Sequence, residues 1–146
     1  MEVEIFWPAE LPRTPLLEAE LPLREAGIDT TSRLRPVRRG GVELSVLVLL
    51  TGSVLEPFLK GLFERLGGSA HAALESFVRR LLRPQDGRAA PTSVMFESVT
   101  THAQFIFTPH LPEEAFRQAV ALDPGGTPGR WLWEQQQRRW SRFEEQ

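Results

Sequence analysis

Apolar and polar positions alternate along residues 2–7. Val3, Ile5 and Trp7 fall on one side of an extended chain, and Glu2, Glu4 and Phe6 on the other. A period of two predicts a short strand with one apolar face, and Pro8, which cannot donate to a ladder, ends it. Residues 42–50 (VELSVLVLL) predict a second strand. Val42, Leu44, Val46, Val48 and Leu50 share one face; Glu43 and Ser45 hold the other until Leu47 and Leu49 join it. That pattern predicts an interior strand covered on both sides at its C-terminal half.

The period then changes to that of a helix. Ser53 and Glu56 form a capping-box pattern, and Pro57 falls in the first turn where its missing N–H costs nothing. Leu55, Phe58, Leu59, Leu62, Phe63 and Leu66 make a wide apolar stripe, which Gly67-Gly68 terminates. Ser69 caps a second helix with Ala70, Ala73, Leu74, Phe77, Val78, Leu81 and Leu82 on one side, stopped by Pro84. After a polar loop turning at Asp86-Gly87, residues 93–108 are β-rich: Val94, Phe96 and Val99, then Phe105, Ile106 and Phe107. Thr100-Thr101-His102 turns a hairpin between them, with one bent strand as the alternative. Leu111-Pro112-Glu113-Glu114 opens a third helix, its carboxylates at the positive end of the dipole and Ala115, Phe116, Ala119, Val120 and Leu122 on its apolar side.

Two stretches lack a clear period. Residues 8–41 contain Pro8, Pro12, Pro15, Pro22 and Pro36, which excludes a long uninterrupted helix. The expectation is an irregular connection with a helical turn or two over 16–21 and an extended piece over 30–39. The tail, residues 130–146, holds three of the four tryptophans. A hairpin turning at 135–137 would stack Trp131, Trp133, Trp140 and Phe143 across strands. A helix would place Trp133, Gln136, Gln137 and Trp140 together. Gly129 followed by Trp131 and Trp133 looks like a strand start, so the hairpin is preferred.

Together these elements predict a single α+β domain over residues 1–146. Its sheet is mostly antiparallel or mixed, has about four to six strands, and carries helices mainly on one face. Composition fits: 146 residues, 41% apolar and 25% charged, are ordinary for one soluble domain. Seventeen basic against nineteen acidic residues give a net charge of -2, which argues against a general binder of nucleic acid or anionic membrane. The chain has no cysteine, and so no disulfide or thiolate chemistry. The opening MEVEIFWPAE has no basic n-region, and no apolar run approaches the ~20 residues of a membrane span. A cytoplasmic location is the expectation.

Candidate chemistry is thin. The strand, the Thr51-Gly52-Ser53 turn and the next helix resemble a phosphate cradle, but the glycine spacing and the P-loop lysine are missing. His71, His102 and His110 fit no metal-ligand spacing. No Gly-x-Ser-x-Gly elbow occurs. No catalytic residue, metal or cofactor is assigned, and the chain is read as a non-enzyme. Arg33, Arg35, Arg38 and Arg39 form a candidate contact for anions or nucleic acid, by phosphate contacts with stacking from a tryptophan. Trp131, Trp133, Trp140, Arg138 and Arg139 form a candidate partner-binding patch, because Trp and Arg are enriched in interface hot spots. The competing reading folds the tail back so that its tryptophans cover the sheet.

The segment VRRGGVELSVLVLLTGSVLEPFLKGLFERL, in the order strand, Pro-rich segment, Gly-Gly, buried strand and helices, resembles the small effector-associated modules of bacterial conflict systems, the constant-component type. The resemblance covers residues 28–122. A Trp-Leu pair associated with the end of the helical stretch is absent; Phe77-Val78-Arg79-Arg80 stands there. The tail also resembles a Gly…Trp-acidic…Arg-Trp ending of small bacterial proteins, on Gly129, Trp133-Glu134 and Arg139-Trp140. The resemblance implies an adaptor or recruitment module whose partner is another protein or a second copy, and it supplies no catalytic residue. The alternatives are an RNA- or nucleotide-binding domain using the arginine clusters, and a small enzyme with a site near Thr51–Ser53.

Overall fold

The structure, a computed structural model, describes residues 2–25, 27–35, 44–50, 70–84, 90–99, 102–121 and 129–143. Seven strands form one mixed sheet: β1 (Glu2–Pro8), β2 (Asp29–Arg35), β3 (Ser45–Leu50), β4 (Ser93–Ser98), β5 (Ala103–Phe107), β6 (Gly129–Glu134) and β7 (Arg139–Phe143). Their order across the sheet is β2-β1-β3-β4-β5-β6-β7. Three helices are described: α1 (Thr14–Glu25), α2 (Ala70–Leu82) and α3 (Glu113–Ala121). The fold is α+β, with more strands than the pattern alone predicts. The predicted helix over 54–66, the Thr51-Gly52-Ser53 turn, and Arg38 and Arg39 lie outside the described residues.

The extra strand comes from the Pro-rich segment, which is not irregular. Residues 14–25 form a full helix, and 29–35 a parallel edge strand on β1. The prolines are tolerated for identifiable reasons. Pro15 sits in the first turn of α1, where a helix has no partner for that N–H. Pro22 sits in the last turn and deprives the Glu18 carbonyl of its i+4 donor. Arg80 Nη1 on α2 donates to that carbonyl at 3.2 Å instead. The helix ends on a Schellman motif: Ile28 N–H donates to Leu23 O and Gly27 N–H to Arg24 O, both at 3.0 Å, with Gly27 at φ 78°. Glu20, buried on α1, accepts from Ser32 Oγ on β2 and lies 3.3 Å from Arg24, so its charge is paired.

Strand pairing follows three strand–helix–strand crossovers, each between parallel neighbours: β1–α1–β2, β3–α2–β4 and β5–α3–β6. Antiparallel contacts join the units, β1 to β3 and β4 to β5, and β7 closes as a hairpin on β6. The β4–β5 pair is thus a hairpin and not one bent strand; His102, at φ 61°, donates its N–H to Ser98 O to close it. All three helices join one core on one face of the sheet. β1 and β5 run in the same direction, yet their crossovers step toward opposite edges of the sheet. β3 runs and steps opposite to β1. The third crossover therefore has the opposite hand to the first two, against a rule that makes ~98% of such connections right-handed.

Packing rather than connection geometry holds that third unit. A chain of rings runs through the core. Phe77 lies 6.0 Å from Phe96, which meets Phe107 edge-on at 5.4 Å. Phe107 stacks on Phe116 of α3 at 5.6 Å and meets Trp140 of β7 at 5.1 Å. Such pairs add ~0.5–1.5 kcal/mol each beyond area burial. β3 is an interior strand, as its run of aliphatics predicts. Leu47 and Leu49 are only half-buried, and the described helices all lie on the other side.

Phe107 is fully buried and touches rings from three other elements. Phe107→Ala should cost about 3–5 kcal/mol in urea unfolding; a loss under about 1 kcal/mol would mean that the ring chain does not carry this core.

Candidate protein-docking face

The tail is a hairpin, with strands 129–134 and 139–143 and a turn over 135–138. Its tryptophans face the helices. Trp140 is 5% exposed, and its Nε1 donates to Ala115 O on α3 at 2.8 Å. Trp131 stacks on Phe105, centroids 6.0 Å apart and planes at 10°. Trp133 packs edge-on against Trp140 at 5.9 Å, and its Nε1 donates to Gln135 Oε1. Arg138 occupies the turn at φ 52°, sits 3.0 Å from Glu114, and its carbonyl accepts from Gln118 Nε2. Arg139 is exposed opposite Glu134. Trp140 is therefore spent on the core. Trp131 and Trp133 are half-buried against the same core, and Arg138 secures the turn to α3.

Arg33 and Arg35, the described members of the candidate anion-binding cluster, are also engaged in the fold. Arg33 lies 3.7 Å from Glu4, and Arg35 Nη2 donates to the carbonyl and hydroxyl of Ser45 at 2.8 and 3.2 Å. Arg79 pairs with Glu75 at 3.0 Å, donates to Leu111 O at 2.9 Å, and covers the Phe116 ring at 5.6 Å. With Arg80 on the Glu18 carbonyl, α2 uses neighbouring guanidiniums to tie α1 on one side and the entry to α3 on the other.

An open groove of about 830 Å³ follows the outer side of α2 between α1 and α3. Glu18, Glu25, Glu75 and Glu113 line it together with Arg79, Arg80 and Arg83, so its charges largely cancel. Glu113 lies 2.9 Å from Arg117 and 3.3 Å from His71. The Arg117 hydrogen bond and charge, then His71, hold its carboxyl below the usual carboxylate range. No group of three or more His, Asp or Glu among the described residues converges as a metal site. No described helix is long and apolar enough to cross a membrane.

The sheet face opposite the helices is different in kind. Alternation puts Val3, Ile5, Trp7, Val46, Val48, Val94, Phe96, Phe105 and Phe107 in the core, so their neighbours in sequence point away from it. Register aligns these neighbours into rows. Phe6 pairs with Leu47, Leu47 with Met95 and Met95 with Ile106. The β5–β6 pairing, continued by one residue, brings Leu132 next. This apolar row crosses five strands, and every member is half-buried. Beside it runs Glu4, Leu49, Glu97, Gln104 and Arg130. Gln104 donates to Glu97, and Arg130 Nε donates to Gln104 Oε1 at 3.2 Å. Sequence reading missed this face. Leu47 and Leu49 gave the one hint of it, because two-sided apolar character in a strand means both faces meet something apolar.

Two measurements check the site's supports. Trp140→Phe keeps most of the ring but orphans the Ala115 carbonyl, and should cost about 1–3 kcal/mol; an unchanged stability would mean the bond is not made. A carboxylate with a depressed pKa stabilises the fold above its unfolded-state pKa, and that contribution is lost as pH falls through the depressed value. Glu113→Gln should therefore unfold more readily than the parent at neutral pH, and the difference should close in acid; a pH-independent difference would exclude this ion pair as its cause. Compared with known proteins, the chain matches no family model, no curated protein and no solved structure.

Proposed function

We propose that this chain is a non-enzymatic protein-interaction module that docks through the sheet face opposite its described helices. One observation carries the reading: the uninterrupted apolar row from Phe6 to Leu132, bordered by Glu4, Glu97 and Arg130. Contiguous apolar surface rimmed by polar groups marks interaction sites. The row is built on strands and not on loops, so it is rigid and largely pre-formed, which lowers the ordering cost of binding. An adaptor of a bacterial multi-component conflict system, cytoplasmic and working by recruitment, is the role that suits such a surface and the family resemblance. Nucleic-acid binding is less well supported, because Arg33, Arg35, Arg79, Arg80 and Arg138 are each bonded within the fold.

A photo-crosslinking residue at Ile106, on the row, should give protein adducts in extract of the cells that make the chain. The same residue at Leu17, exposed on the outer side of α1, should not. Equal labelling at both positions, or none at 106, would refute docking through this face.

A further inference from the structure

We propose that the outer edge of β7 is a self-association site, where a second copy of this chain adds its own β7 antiparallel and the two sheets join into one. Side-by-side pairing leaves the row from Phe6 to Leu132 out of the contact. The inference therefore goes beyond the docking reading of that row and does not rest on it.

β7 ends the sheet, and β6 is its one neighbour among the described strands. The five pairs between them run in unbroken register, with no bulge and no proline in β7. Backbone groups of alternate residues point to opposite sides of a strand, so half of those in β7 face away from β6. An edge of this kind is a template for a further strand.

The side chains identify that strand. Arg139, Ser141 and Phe143 share one face of β7, by alternation. Arg139 and Phe143 are exposed, Phe143 to 47%, and among the described residues neither side chain takes part in an ion pair or ring contact. Between them, the Ser141 hydroxyl has no hydrogen-bond partner within the chain. An antiparallel pair about a two-fold axis at Ser141 overlaps all five residues of β7, and no other axis position does. It sets Arg139 opposite the partner's Phe143, Trp140 opposite the partner's Arg142, and Ser141 opposite the partner's Ser141. The first pair places a guanidinium over an exposed ring, and symmetry makes it twice. At the axis, one serine hydroxyl donates to the other. The sequence continues after β7 as Glu144-Glu145, so the acidic end of each chain runs toward the Arg139 end of the other. An isologous contact requires this kind of self-complementarity. The opposite edge, β2, is not equivalent, because the hydroxyl of its middle residue, Ser32, is already bonded to Glu20.

Sedimentation equilibrium and oxidative cross-linking of the purified full chain test this. The parent should show a dimer mass at high concentration. The chain has no cysteine, so Ser141→Cys carries a single thiol. Directly opposite residues of an antiparallel pair have Cα atoms about 4.5–5.5 Å apart, within reach of a disulfide. Oxidised glutathione should convert S141C to a covalent dimer, while Thr31→Cys, exposed on β2, should stay monomeric. Phe143→Arg sets like charges together on both sides of the axis and should raise the dissociation constant about tenfold, with an unchanged circular-dichroism spectrum and melting temperature. A parent that stays monomeric at every concentration, equal cross-linking of S141C and T31C, or a Phe143→Arg chain that dimerises as the parent does would overturn the proposal. None of these outcomes bears on adducts from position 106, so the two readings stand or fall separately.

Discussion

The structure depends on one chain of aromatic contacts, Phe77–Phe96–Phe107 with Phe116 and Trp140 closing on it. These rings come from α2, β4, β5, α3 and β7, so a single packed line joins elements distant in sequence. It also spans the connection from β5 through α3 to β6, whose hand is opposite to that of the other two. Stacking of Phe116 on Phe107 and the bond from Trp140 Nε1 to Ala115 O position α3. The tail tryptophans therefore belong to the same construction.

A second feature is that the described helices all share one face of the sheet. From Val46 through β5, buried residues alternate with half-buried ones, and Leu47, Leu49, Met95 and Ile106 are among the half-buried where a solvated face would carry polar side chains. The arginines show the converse economy. On α2, Arg79 and Arg80 look like a basic patch, yet they satisfy backbone carbonyls on two neighbouring segments and one aromatic ring. Charge that looks available in a sequence is here part of the inter-helix contact.

The Pro-rich segment shows why local rules mislead when applied residue by residue. Prolines at 15 and 22 argue against a helix only if both fall in its interior. They fall in its first and last turns, and the carbonyl that Pro22 leaves without a donor is met by a side chain 62 residues away. No local pattern contains that donor. The same limit applies to β2, whose Thr- and Ser-rich sequence has little apolar alternation. It becomes a strand because α1 returns it parallel to β1, with Ser32 bonded to Glu20.

Sequence periodicity alone determined the α+β class, the strands at 2–8 and 45–50, the helices at 70–82 and 113–121 and most of the described core, because a period of two or 3.6 is a property of neighbours along the chain; the tail has no clear period, and Gly129 with Trp131 and Trp133 pointed to its hairpin. Tertiary structure alone decided strand order, crossover hand, the destination of the tryptophans and arginines, and the apolar row across five strands. Those depend on register between segments far apart in sequence, and a one-residue slip would exchange every inward side chain for its outward neighbour.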